Sequence, residues 1–283
     1  MDIGILLKPY DPEEVERAAN EIAHYGYGAV DFQGLINTDL ELFSLSEKEF
    51  EKTLEKDREI IKKAGLFISQ THGPWRYPIK DSTEEDRSER FEKMSKAIRG
   101  TAILGCPYIV LHPIMPFGRE DNDRKTVFEI NLEFFGRLSL VAKEYGVVIC
   151  VENMPFEKQS LARPKDVLEL LKTLGRKEVR FCLDTGHCAK TKESPADAVF
   201  SAGLEYLKVM HVHDNDSVKD LHQYPGKGVI DWKAFAESLA KVGFDGTLSL
   251  ETRVDPEKVA PSDYDAENRA LFAIAEKIAR NAF

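Results

Sequence analysis

Eight short runs rich in Val, Ile and Leu alternate with eight longer charged segments along the 283 residues, and this alternation limits the folds open to the chain. The apolar runs cover 3–7, 29–32, 66–72, 108–112, 147–153, 179–187, 207–214 and 246–252. The intervening segments, 11–25, 46–65, 84–104, 124–145, 165–174, 195–203, 232–242 and 264–280, read as amphipathic helices. Two of them announce their starts. Asp11-Pro12-Glu13-Glu14 offers an N-cap followed by proline and acid, and Ser46 with Glu49 forms a capping box ahead of the stripe Phe50, Leu54, Ile60 and Ile61. Runs that are apolar throughout, not alternately, are those of parallel strands buried on both faces. Strands alternating with helices imply right-handed crossovers, and eight such units close a barrel. The expected fold is therefore α/β, a (β/α)8 TIM barrel. An open doubly wound sheet is the competing architecture, but no GxGxxG loop follows the first strand.

A barrel of this kind takes about 250 residues as one unit, and no Pro/Ser-rich linker interrupts residues 1–283, so one domain is expected. A formal charge of −10 leaves no broad basic surface, which disfavours nucleic acid as a partner. The four cysteines show no CxxC spacing and fall mostly in apolar runs, as reduced core cysteines do. The N-terminal residues pass from a short apolar run straight into charge, and no apolar run approaches the ~20 residues of a membrane span. A cytoplasmic protein without a membrane segment is expected.

Polar residues that bind metals recur where the later strands end: His72, His112, Glu152, Asp184, His211 and Glu251. In a barrel these ends meet at one mouth, the place of the active site. Of the seven histidines only His24 is expected within a helix. Val209, His211 and His213 share strand parity and hence one face. Taken alone, His72 in THGPW reads as a hydrogen-bonded turn residue, and Asp184 in CLDTGH as an Asx turn or N-cap. Glu152 and Glu251 resist such readings, because each ends an apolar strand where an unpaired carboxylate is costly. Carboxylates from Glu152, Asp184 and Glu251 with the His211 imidazole suit one divalent ion: Mn²⁺, Mg²⁺, Co²⁺ or Zn²⁺. Asp214 is expected either to orient a ligand or to be a solvated turn carboxylate.

The strings THGPW, LHP, VEN, CLDTGH, HVHDND, DLHxxPGxGxIDW and LET together resemble the xylose-isomerase-like TIM-barrel superfamily, which holds sugar isomerases and epimerases and the AP endonucleases. The resemblance implies a metal held by Glu152, Asp184, His211 and Glu251, with His211 preferred over His213. It implies carbohydrate metabolism: isomerisation or epimerisation of a small sugar or sugar derivative, with Glu152 and Glu251 exchanging a proton through a metal-stabilised enediolate. His72, His112, His187, His222 and Trp75 are then expected around the substrate. Trp75 and Phe117 fit equally the apolar side of a sugar or plain loop packing. Arg76, Arg119 and Arg253 are either anion contacts or surface ion pairs.

One departure is that Ser217 stands where the ketose epimerases carry arginine. Conversely, His72, His112, His187, Asp220 and His222 match further positions by which AP endonucleases hold three zinc ions, so Asp220 and His213 are candidates for additional metal. A zinc-dependent AP endonuclease is the alternative function, and a catalytically silent carbohydrate-binding barrel a third. Superfamily relatives are often oligomeric, which admits a homo-oligomer whose mouth loops meet a neighbour.

Overall fold

A computed structural model describes residues 1–8, 12–76 and 78–283. In chain order its first half runs β1 (Asp2–Leu7), α1 (Pro12–His24), β2 (Ala29–Phe32), α2 (Glu41–Ser44), α3 (Glu47–Lys63), β3 (Phe67–His72), α4 (Glu84–Ile103), β4 (Tyr108–Leu111) and α5 (Arg124–Tyr145). The second half adds β5 (Val148–Glu152), α6 (Pro164–Leu174), β6 (Val179–Asp184), α7 (Thr185–Lys190), α8 (Pro195–Tyr206), β7 (Leu207–His211), α9 (Trp232–Val242), β8 (Thr247–Leu250) and α10 (Tyr264–Ala279). The eight strands form one parallel sheet in the order β7-β6-β5-β4-β3-β2-β1-β8. The sheet curls until its ends meet: Val212 N donates to Ser249 O at 2.8 Å and Glu251 N to Val212 O at 3.1 Å. The expected TIM barrel is the observed fold.

The alternation of strand and helix is less strict than the sequence indicates. Among the described residues, the short helices α2 and α7 are additional. As a result His24 is not the only helical histidine, because His187 lies in α7. That helix starts where it does because Asp184 Oδ1 accepts from His187 N. The capping box at Ser46 and Glu49 is present, whereas Asp11 lies outside the described residues.

Two layers of core follow from the strand pattern. Outward-facing residues such as Phe32, Phe181 and Leu183 join Phe50, Phe135 and Phe235 of the helices in the main apolar cluster. Inside the barrel, Val110, Cys150, Cys182 and Val209 form a separate small cluster. Glu152 and His211 lie two residues beyond Cys150 and Val209, so strand parity turns them to the same interior, one layer nearer the mouth. All four cysteines are buried and unpaired.

Two bulges set which side chains meet there. Between β6 and β7 the register passes from Phe181↔Leu207 to Cys182↔Val209, leaving Lys208 extra, and Asp184 thereby faces His211. Between β2 and β3 it passes from Val30↔Ile68 to Asp31↔Gln70, leaving Ser69 extra. No helix among the described residues is long and apolar enough to cross a membrane.

Candidate metal centre

Glu152, Asp184 and His211 are the last residues of β5, β6 and β7, and Glu251 follows β8. One ligand atom from each lies within 4.8 Å of the others, and all four residues are buried. Glu152 is the hub. Its Oε1 lies 2.8 Å from His211 Nδ1 and 3.6 Å from His187 Nδ1, and its Oε2 lies 2.9 Å from His112 Nε2 and 3.7 Å from His72 Nε2. Glu251 Oε2 lies 3.5 Å from His211 Nδ1 and 3.7 Å from His222 Nδ1. Asp184 Oδ2 lies 3.0 Å from His213 Nε2 while Oδ1 caps α7, so this carboxylate serves both the turn and the cluster.

Burial alone would raise both glutamates, yet the imidazoles outweigh it. His211 and His112 hold Glu152 well below the usual carboxylate range, and His211 and His222 hold Glu251 at about 2. Burial lowers a histidine, and for His112 it wins, taking the ring to about 4 despite Glu152. For His211 and His187 the surrounding carboxylates win and both rings are held well above their usual range. His222 is raised to about 9 by Glu251 and Asp220 against its burial. Asp220 is held far below its usual range by His187 and His222, again against burial.

The donors fit a divalent cation on the observation of their own crowding. Three carboxylates cannot share a buried site without positive charge between them. Oxygen ligands with one imidazole suit hard to borderline ions. A second group, His187, His213, Asp220 and His222, also has ligand atoms within 4.8 Å of one another, as does the set His72, Glu152 and His211. His213 is thus a member of the adjoining group, stacked on His222 with ring centroids 4.1 Å apart.

Above the donors opens a cavity of about 650 Å³, lined by His72, Trp75, His112, His187, His222 and Glu251 among others. Trp75 meets His112 edge-on at 4.5 Å, forming one wall. Phe117 is exposed and does not line the cavity. Arg119 lines it, whereas Arg76 is tied to Glu89 and to Lys80 O, and Arg253 lines a separate crevice beside Tyr27. Asp214 is not a solvated turn carboxylate, and its backbone O lies 3.4 Å from His213 Nδ1. It is buried and accepts from Asn215 N, Gly226 N, Ile230 N and Trp232 Nε1, pinning the loop that follows.

Sequence reasoning missed Asp31, Gln33 and Gln70, which are buried beside the donors, Gln33 also lining the cavity. Asp31 Oδ2 lies 3.0 Å from His211 Nε2. The available signal was Asp31 itself, a lone carboxylate inside the apolar run AVDF. Lys8, after β1, and Lys190, at the end of α7, also line the cavity and gave no signal because isolated lysines at such positions are common.

A barrel with such a mouth places the protein among the α/β-barrel proteins with a carboxylate and imidazole centre. The xylose isomerase-like TIM barrel model matches residues 19–273, and the chain belongs to that family. An uncharacterized protein of Methanocaldococcus jannaschii is 29% identical over 185 residues, 62% of this chain and 62% of its own length. D-psicose 3-epimerase of Agrobacterium fabrum is 25% identical over 238 residues, 80% of this chain and 78% of its own. The structure of 3-keto-D-glucoside 4-epimerase from E. coli superposes with a TM-score of 0.76 over 98% of this chain and 99% of that one, at 20% identity, a likeness of fold.

Proposed function

We propose that this protein is a metal-dependent isomerase or epimerase of a small sugar or sugar derivative. The observation that carries the reading is the placement of two ionised, buried glutamates, Glu152 and Glu251, 2.8 and 3.5 Å from the same His211 nitrogen under a cavity sized for a small ligand. The similarity to a D-psicose 3-epimerase supports it.

Glu152, Asp184, His211 and Glu251 would hold the divalent ion, which when bound supplies Lewis-acid polarisation of a substrate oxygen. The protein's own groups supply the rest. Glu152 and Glu251, both held ionised at neutral pH, can each accept a proton from carbon and return it. His187 and His222, both raised, turn Nε2 toward Asp220 Oδ2, at 3.3 and 3.5 Å, and the three form one polar wall of the cavity. Trp75 presents an apolar wall beside His112, and the depth of the glutamates keeps bulk water from the carbon centre.

The test is deuterium incorporation from heavy water into a panel of ketoses and aldoses by the metal-loaded protein. Incorporation at one carbon is expected, and Glu152→Gln or Glu251→Gln should each reduce it by roughly 10²–10⁴-fold. No incorporation across the panel overturns the proposal. The group His187, His213, Asp220 and His222 is the observation behind the zinc-dependent AP endonuclease alternative. Its support is narrower: the net charge of −10 opposes a nucleic-acid partner. Metal analysis separates the two, since one ion per chain accords with the sugar enzyme and three zincs with the endonuclease.

A further inference from the structure

We propose that Asp31, on β2, is a positioning residue that holds His211 as the Nε2–H tautomer and so leaves Nδ1 as the metal-binding nitrogen. The inference rests on the metal reading above.

Asp31 Oδ2 is approached by three donors: His211 Nε2 at 3.0 Å, Gln70 Nε2 at 3.4 Å and Gln33 Nε2 at 3.5 Å. The two amides have settled orientations, because each nitrogen also faces a second acceptor. Gln70 Nε2 donates to Met210 O at 3.3 Å, and Gln33 Nε2 to Glu251 Oε1 at 3.4 Å. A carboxylate oxygen so surrounded acts as an acceptor, and the imidazole proton therefore belongs on Nε2. The other nitrogen, Nδ1, faces Glu152 Oε1 at 2.8 Å and Glu251 Oε2 at 3.5 Å, where the four ligand atoms converge, so its proton is the one a bound cation would displace. The ring plane is fixed as well, because His72 stacks on His211 at 5.5 Å with 5° between the planes.

Burial makes Asp31 irreplaceable by solvent. Asp31, Gln70 and His211 are all 0% exposed and Gln33 is 2% exposed, so water has no access to substitute for the carboxylate. The arrangement also depends on the bulge at Ser69. The shifted register sets Asp31 beside Gln70, and a slip of one residue would turn the Gln70 amide away from the barrel interior. Gln70 in turn ties β3 to the carbonyl immediately before His211, so the orienting group and the ligand are held to the same frame.

Two measurements test this. Long-range ¹H–¹⁵N correlation of histidine-labelled, zinc-loaded wild type should show His211 protonated on Nε2 and bound to metal through Nδ1; the opposite assignment overturns the proposal without any variant. Titration with Co²⁺ alone, followed by its visible absorption, should show Asp31→Asn binding about 10–100-fold more weakly than wild type. Its cobalt spectrum should also be altered. Wild type binding cobalt and Asp31→Asn matching it in affinity and spectrum overturns the role of Asp31 alone. Wild type binding no cobalt overturns the metal reading and this inference with it.

Discussion

Gly186 and the His213 ring occupy the same space to the extent that no side chain fits between them: a Cβ on Gly186 would lie 2.0 Å from His213 Cε1 and 2.3 Å from Nδ1. The glycine is demanded by a neighbour, not by its own backbone angles. Gly186→Ala is expected to cost about 1–3 kcal/mol through forced displacement of the ring, and to disturb the His213–Asp184 contact of 3.0 Å. Denaturant unfolding checks the cost, and a Gly186→Ala/His213→Ala double variant should recover most of it. Equal losses in the single and double variants would show that the ring is not the obstacle.

Metal binding should be strongly pH-dependent. In the metal-free protein the carboxylates keep His211 and His187 well above their usual range, and His222 moves from 6.5 to about 9. Raised histidines stabilise the fold fully below the unfolded value and lose that contribution as pH climbs through the folded one. The metal-free protein is therefore expected to melt at lower temperature at pH 9.5 than at pH 6. Metal must displace the His211 proton, so affinity should rise with pH and calorimetry in buffers of different ionisation enthalpy should register proton release.

Asp214 organises the loop that carries Asp220 and His222. Its Oδ2 accepts from Gly226 N at 2.9 Å and Trp232 Nε1 at 2.8 Å, and its Oδ1 lies where a side chain on Gly228 would collide. Asp214→Asn sets an amide donor against donors, and leaving them unpaired costs about 1–3 kcal/mol each. Faster proteolysis within the loop and a changed Trp232 emission are expected, with the Glu152, Asp184, His211 and Glu251 group still binding cobalt. Unchanged proteolysis would remove Asp214 from this role.

Asp57 of α3 is buried with Oδ1 unpartnered among the described residues, and burial raises it from 3.8 to about 7 against the pull of Lys56. A raised carboxyl opposes folding once it must ionise, so its cost grows as pH rises from the unfolded value to about 7 and persists above. At roughly 1.4 kcal/mol per unit the ceiling is on the order of 4 kcal/mol. Asp57→Asn should stabilise the protein by about 1–3 kcal/mol at pH 8 and far less at pH 4, as read by urea unfolding at both values.

The eight-unit rhythm and the residues ending the later strands were legible because each depends on local pattern. Short apolar runs rich in β-branched residues and set between charged segments read as buried strands, and an unpaired Glu152 or Glu251 at such an end would be costly. The short helix α7 was not legible, since it arises from a single cap at Asp184. Arg76 and Arg253 fell near the mouth in sequence but not in space, because the loops that carry them turn toward Glu89 and Tyr27. Sequence left Asp214 open between two roles for the reverse reason: its four donors come from residues 215–232, and no spacing rule shows that a loop folds back on one carboxylate.

Sequence by itself determined the barrel and the identities of the mouth carboxylates and imidazoles, because burial and strand parity follow from hydrophobic pattern. Tertiary structure alone decided which of them touch. The bulges at Ser69 and Lys208 place Asp31 level with Gln70 and Asp184 level with His211. A shift of one residue in a strand reverses the direction of every side chain beyond it, and that choice is settled by packing between strands far apart in the chain.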